Sequence, residues 1–278
     1  AGDPVVVAAG DISTRTKVGG NKLTSDLILS INPSYVLALG DDQYPNGALV
    51  DYQKYFTATW GRFKGKIRPA PGNHEYYTDF SAAGYYSYFG GAASPQEPAC
   101  TANCKGYYSY DVGNWHIVAL NTNDNNCQYV GCQAGSAQIT WLQADLATNT
   151  KPCIAAYFHH PRWSSGTHHG SNAAMGTIWS TLYSAGTDVV LNGHEHNYER
   201  FAKQDPAGAA RSDGIREFVV GTGGNGLYGF GTPKANSQVR NGNSKGVLKL
   251  TLHANSYDWQ FQPAAGYTFT DSGNDTCN

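Results

Sequence analysis

Five short apolar runs each end in a side chain that can bind a metal ion. Asp11 follows VVVAAG, Asp41 follows VLALG, Asn73 follows RPAPG, His159 follows IAAYF, and His194 with His196 follow VVLNG. Tyr44 stands three residues beyond Asp41. Each position alone has an ordinary alternative, because an Asp after Gly is often a turn or cap residue and a loop His is often solvated. The joint pattern is more specific: seven of the nine histidines fall in three clusters, each behind a strand-like run. Oxygen and imidazole donors without thiolate favour Fe, Zn, Mn or Mg. Six to seven such groups exceed what one tetrahedral zinc takes and suit two metals sharing a carboxylate. Two ions about 3.5–4 Å apart clamp the attacking and leaving oxygens of an in-line phosphoryl displacement. A phosphate ester needs that help, since it is anionic, repels hydroxide and hydrolyses extremely slowly unaided.

The elements that must position these groups are legible as well. Runs at 5–9, 35–39, 67–70, 115–120, 154–158 and 188–191 read as buried strands. Helical patterns lie between several of them: 22–31 with Leu23, Leu27 and Ile31 on one face, and 136–148 with Ile139, Leu142 and Leu146. A third, 172–185, carries Met175, Ile178, Trp179 and Leu182, with Gly186 as its C-terminal cap. The alternation predicts a largely parallel, covered sheet. After Tyr198, the runs 215–220, 247–252 and 257–261 are expected to be antiparallel edges of a second sheet. No repeat or linker interrupts the chain, so residues 1–278 are expected to form a single catalytic domain. In open α/β sheets the carboxyl ends of the strands form the ligand crevice, which is where the candidate ligands fall.

Composition narrows the classes. The chain opposes 19 Lys and Arg with 21 Asp and Glu, a net charge of -2, so no basic field draws nucleic acid or anionic lipid. No apolar run approaches the roughly 20 residues that span a bilayer. Aromatics at 13% can cover a substantial core, which argues against disorder. The six cysteines include two close pairs in polar stretches, looser than the hairpins of a zinc site. Disulfides are preferred over zinc: Cys100–Cys104, Cys127–Cys132 and, by elimination, Cys153–Cys277, among the many connectivities that six cysteines allow. The start AGDPVVV reads as a mature product of signal cleavage, so a secreted protein is expected.

Five blocks in order resemble those of the calcineurin-like metallophosphoesterases. They are Gly-Asp-Ile-Ser at 10–13, Gly-Asp-Asp-Gln-Tyr at 40–44, Gly-Asn-His-Glu at 72–75, Tyr-Phe-His at 157–159 and Gly-His-Glu-His at 193–196. Tyr44 and the run His196-Asn197-Tyr198-Glu199-Arg200 narrow the resemblance to the purple acid phosphatases. It covers roughly residues 5–260.

The resemblance implies an α/β fold, a four-layer α-β-β-α sandwich of two mixed sheets with helices on the outer faces and a dinuclear metal site at the strand C-terminal ends. It implies a first metal, Fe(III), on Asp11, Asp41, Tyr44 and His196. A second metal, Fe, Zn or Mn, would share Asp41 as a bridge and take Asn73, His159 and His194. The implied reaction is hydrolysis of a small phosphate monoester by in-line attack of a metal-bound hydroxide. His74, next to Asn73, would orient substrate or protonate the leaving alkoxide. His168 and His169 match a pair aimed at the substrate phosphate, against the alternative of a solvated surface pair. His159 is preferred to His160 because it aligns with the family's H-x-P. His116 and His253 lie in strand patterns and are expected to be structural, and Asp42 to be solvated or hydrogen-bonded. There are two departures. Ser13 stands where the first block normally has Gly, and the β-sandwich that precedes plant-type catalytic domains is not seen, so a monomer is expected.

One motif points elsewhere. Residues 221–226, GTGGNG, match G-x-G-x-x-G after a strand, but LYGFGTP follows where a dinucleotide fingerprint needs a helix. These glycines are expected to let a loop pass close to the metal crevice. Asn274-Asp275-Thr276 is a formal glycosylation sequon. Two rival functions stay open: a phosphodiesterase or nucleotidase on the same metal pair, and a non-catalytic secreted phosphate-binding protein.

Overall fold

The computed structural model describes residues 2–124 and 126–278. Three parallel strands open the chain: β1 (Val5–Ala9), β2 (Tyr35–Leu39) and β3 (Ile67–Ala70). Seven more form a second sheet: β4 (Tyr108–Val112), β5 (Trp115–Ala119), β6 (Cys153–Tyr157), β7 (Val189–Asn192), β8 (Tyr198–Phe201), β9 (Arg216–Val220) and β10 (Ser237–Asn241). Their order is β10-β8-β9-β7-β6-β5-β4, parallel through β5, β6, β7 and β9 and antiparallel at both edges. The chain then returns through β11 (Gly246–Leu252), β12 (Ser256–Pro263) and β13 (Asp271–Thr276). β11 lies antiparallel to β1, giving a first sheet β13-β12-β11-β1-β2-β3. Both sheets are mixed, as expected.

Alternating side chains of the second sheet enter different cores. Ile117, Tyr157, Leu191 and Phe218 pack with Val7, Leu37 and Leu250 of the first sheet. Val118, Ala156, Phe158 and Val190 face the other way, toward Ile139 and Leu142 of the helix Ala137–Thr148 and Ile178 and Trp179 of the helix Gly176–Ser184. That two-sided burial explains why β5–β7 read as continuous apolar runs rather than alternating ones.

Strand membership differs from the sequence reading. The apolar runs of β1–β3 and β5–β7 divide between two sheets instead of sharing one, and β9 joins β7 in parallel rather than forming an antiparallel edge. Short apolar strands look alike in sequence, and partner choice is a long-range packing decision. β13, DSGNDT, has no strand-like composition. Backbone pairing with β12 holds it, together with Tyr198 and Arg200, which both donate to Asp271 Oδ2 at 2.7 Å. The helix Gly20–Ile31 fully buries Asn21, Thr24, Ser25 and Ile28, while Leu27 and Ile31 of the expected apolar face pack half-buried against the core. Its inner face is polar but satisfied: Ser25 donates to the Thr59 carbonyl at 2.7 Å and Thr24 to that of Gly223 at 2.5 Å.

The three disulfides are Cys100–Cys104, Cys127–Cys132 and Cys153–Cys277, as expected, so no cysteine is left for zinc. Among the described residues no helix is long and apolar enough to cross a membrane.

Candidate metal centre

Three expected ligands sit in backbone conformations that L-residues avoid. Asp11, Asp41 and His194, each just past a strand, have φ of 60°, 51° and 70°. Two of the preceding glycines have no room for a side chain. A Cβ on Gly40, itself at φ 88°, would lie 2.6 Å from His159 Nδ1, and one on Gly193 2.9 Å from Asp11 Oδ2. The Gly-Asp and Gly-His pairs thus turn each strand sharply so that its next side chain enters a shared space.

In that space six of the seven expected ligands meet. Tyr44 Oη lies 2.9 Å from Asp11 Oδ1, 3.0 Å from Asp41 Oδ2 and 3.0 Å from His196 Nε2. Beside this group, His159 Nε2 is 3.3 Å from the same Asp41 oxygen, and His194 Nδ1 is 3.2 Å from His159 Nε2. Asp41, His159 and His194 present ligand atoms all within 4.8 Å of one another. Asn73 Oδ1 is buried without a hydrogen-bond partner, while its Nδ2 donates to Tyr77 Oη at 2.7 Å.

These contacts fit cations and little else. One phenolic proton cannot serve three acceptors. His196 Nδ1 faces the Gly226 carbonyl at 2.6 Å and His159 Nδ1 that of Leu39 at 2.8 Å, which places donor N–H groups there and leaves both Nε2 lone pairs inward. Burial pushes the Asp41 carboxyl up, but His159, His74 and His194 around it more than reverse this and hold it well below the usual range. Burial pulls His159 down while Asp41 pulls it further up, to about 9. Burial likewise pulls His196 down while the carboxylates raise it overall, whereas burial and the neighbouring histidines push His194 well below its usual value.

The other expected residues are also close. The His74 backbone N–H donates to Asp41 Oδ1 at 2.9 Å, its Nδ1 is held by the Pro45 carbonyl, and its Nε2 is 3.8 Å from Asp41 Oδ2. His169 stacks on His194, ring centroids 3.9 Å apart, and His168 on Tyr228 at 3.8 Å. Both residues are exposed, and each rests one ring face on a neighbour at the site. His160 packs beside the site, its ring centroid 4.3 Å from that of His194 and its Nδ1 2.9 Å from Thr122 Oγ1, but it is His159 whose ligand atom clusters with those of Asp41 and His194. Residues 221–226 do pass beside the crevice: the Asn225 N–H donates to the Asp11 carbonyl at 2.9 Å.

Asp42 departs from expectation. It is fully buried and neither carboxylate oxygen has a partner. Burial, with Glu75, Asp41 and Asp11 adding to it, pushes its carboxyl well above the usual range. His116 and His253 are held as expected, His116 between Asp111 (2.9 Å) and Asp145 (2.8 Å), His253 between Asp3 (2.6 Å) and Asp258 (3.1 Å).

Three supporting residues escaped the sequence reading. Glu75 is buried and accepts from the backbones of Gly72, Asp41, Asp42 and Gln43 and from Tyr52 Oη. Glu195 accepts the N–H groups of His169 (2.5 Å) and Gly170 (2.6 Å), holding that loop against the site. Tyr228 lies flat on His196, centroids 4.0 Å apart, with His168 stacked on it as well. Glu75 and Glu195 stand inside the quoted blocks, but only their long-range partners give them a role. Tyr228 has no local signal.

A model of the calcineurin-like phosphoesterase family matches residues 4–198. The chain belongs to this family. Within it, purple acid phosphatase 15 of Arabidopsis thaliana is 29% identical over 253 residues, 78% of this chain and 45% of the relative. The purple acid phosphatase PPD1 from yellow lupin (Lupinus luteus) seeds superimposes with a TM-score of 0.79 at 19% identity, over 99% of this chain and 54% of the other. GAP50, the anchor in the inner membrane complex of Plasmodium, shares the fold at a TM-score of 0.74 and 13% identity, over 100% of this chain and 90% of the other. The chain spans about half the length of the first two of these curated and solved phosphatases. Membership of this metallophosphoesterase family implies two metal ions, and the donor set above fits them.

Proposed function

We propose that this chain is a secreted phosphomonoesterase of the purple acid phosphatase type, acting as a single catalytic domain. The observation that carries the reading is Tyr44 Oη, within 3.0 Å of Asp11, Asp41 and His196. A phenol in that position suits ferric iron. Asp11, Asp41, Tyr44 and His196 would hold Fe(III), and Asp41, Asn73, His159 and His194 a second ion of Fe, Zn or Mn. Such a pair neutralises the charge of the phosphate and acidifies a water for attack.

The chain's own groups do the rest. With Nδ1 donating to the Pro45 carbonyl, His74 in its imidazolium form presents an Nε2–H to the site, placed to protonate the departing alkoxide and become neutral. His168 and His169, fixed by stacking and by Glu195, offer ring N–H groups to the non-bridging phosphate oxygens. A polar pocket of about 320 Å³ lined by His168, His169, Gly170, Ser171, Asn172 and His194 gives a small ester room. The three disulfides support an oxidising compartment.

Turnover of a phosphate monoester and a diester by metal-replete protein tests the reading. Faster monoester hydrolysis is expected, falling about a hundredfold or more in His74→Ala. Faster diester turnover would transfer the site to a phosphodiesterase. Inactivity across a broad ester panel would favour a phosphate-binding protein.

A further inference from the structure

Tyr77 follows the short turn His74–Tyr76 and touches two residues of the site. Its hydroxyl accepts from Asn73 Nδ2 at 2.7 Å. Its ring lies against the His74 imidazole, centroids 4.6 Å apart and 52° between planes. Yet 54% of the residue remains exposed, which is unusual for a side chain so placed. Three residues on, Phe80 is 62% exposed with φ 59°, a backbone region bulky residues avoid. The Tyr77 ring is thus left facing solvent beside His74, while the Phe80 ring lies 5.9 Å from that of Tyr129.

We propose that Tyr77 is a positioning residue whose hydroxyl fixes the Asn73 amide for the second cation, and whose exposed ring selects esters of alcohols that carry an aromatic group. A hydroxyl both donates and accepts, so Tyr77 sets where the amide lies rather than which end points inward. A cation then requires the oxygen inward, and Asn73 Oδ1 is the atom found buried without a donor. Partners behind a metal ligand are commonly worth about 10- to 100-fold in metal affinity. The selection half rests on the phosphatase reading. If His74 serves the departing alkoxide, the alcohol leaves past His74, and Tyr77 offers it a ring face there. An aromatic contact of this kind corresponds to roughly a three- to tenfold preference.

Two variants separate the halves. Zinc alone is titrated calorimetrically into metal-free protein, and kcat/KM is measured on benzyl and cyclohexylmethyl phosphate, whose alcohols are similarly poor leaving groups. In Tyr77→Phe the weaker of two zinc steps is expected to weaken about tenfold, with the tighter step and the benzyl preference unchanged. In Tyr77→Leu the same zinc loss should come with a roughly three- to tenfold smaller benzyl preference. Unaltered zinc binding in Tyr77→Phe overturns the positioning role, whatever the rates. An unaltered ester ratio in Tyr77→Leu overturns the selection role. Unsubstituted protein that binds two zinc ions yet hydrolyses neither ester overturns selection together with the phosphatase reading, and the zinc comparison still decides positioning.

Discussion

Glu75 Oε2 accepts the backbone N–H of Asp41 at 2.9 Å, tying the turn after β3 to the turn after β2. The carboxylate collects five donors in all, and burial with the Asp41 charge pushes it up while the Gly72 N–H pulls it back. Glu75→Gln would set an NH2 against these donors and leave some buried N–H groups unsatisfied, each costing about 1–3 kcal/mol. A loss of roughly 3 kcal/mol is expected in urea unfolding, together with weaker metal retention. Unchanged stability would show that the two turns are held by other contacts.

Tyr44→Phe removes an atom and little volume. With iron loaded, the unsubstituted protein should show a visible charge-transfer band and the variant should not. Persistence of the band would assign the colour to another ligand. Because the hydroxyl is buried among Asp11, Asp41 and His196, the metal-free variant is expected to change stability by only about 1 kcal/mol.

His116 provides a pH dependence away from the centre. Burial lowers its pKa, but the hydrogen bonds its ring donates to the Asp145 and Asp111 carboxylates reverse that and leave it raised. A raised folded-state pKa means the stabilisation is complete below the unfolded value, about 6.5, and fades as pH climbs through the folded value. His116→Gln should therefore lower Tm at acidic pH, by on the order of 2 °C per kcal/mol lost, and approach the unsubstituted protein under alkaline conditions. An equal deficit at both ends of the range would identify a packing effect.

The Cys153–Cys277 bridge spans 124 residues and secures the tail behind β13 to β6. A loop of that length carries about 5 kcal/mol of chain-entropy stabilisation. Cys277→Ser, measured beside a Cys104→Ser variant whose bridge spans only 4 residues, should be the more destabilised by guanidinium unfolding. A larger loss in Cys104→Ser would place the effect in local geometry instead.

The donor set was legible because it is local chemistry. Asp11, Asp41, Asn73, His159, His194 and His196 each follow a strand, and strand exits in such sheets face one crevice. Residue type restricts the ions such a set would suit, and the close cysteine pairs named two of the three bridges. Partner choice was not legible in the same way. The runs of β1–β3 and β5–β7 share one apolar pattern, so only packing could divide them between two sheets and recruit β13. Glu75, Asp42, Tyr77 and Tyr228 take their roles from atoms far along the chain or from water they have lost. Burial and convergence are properties of the folded whole: pattern selects which side chains can ligate, and the tertiary structure alone brings their lone pairs to the same few ångströms.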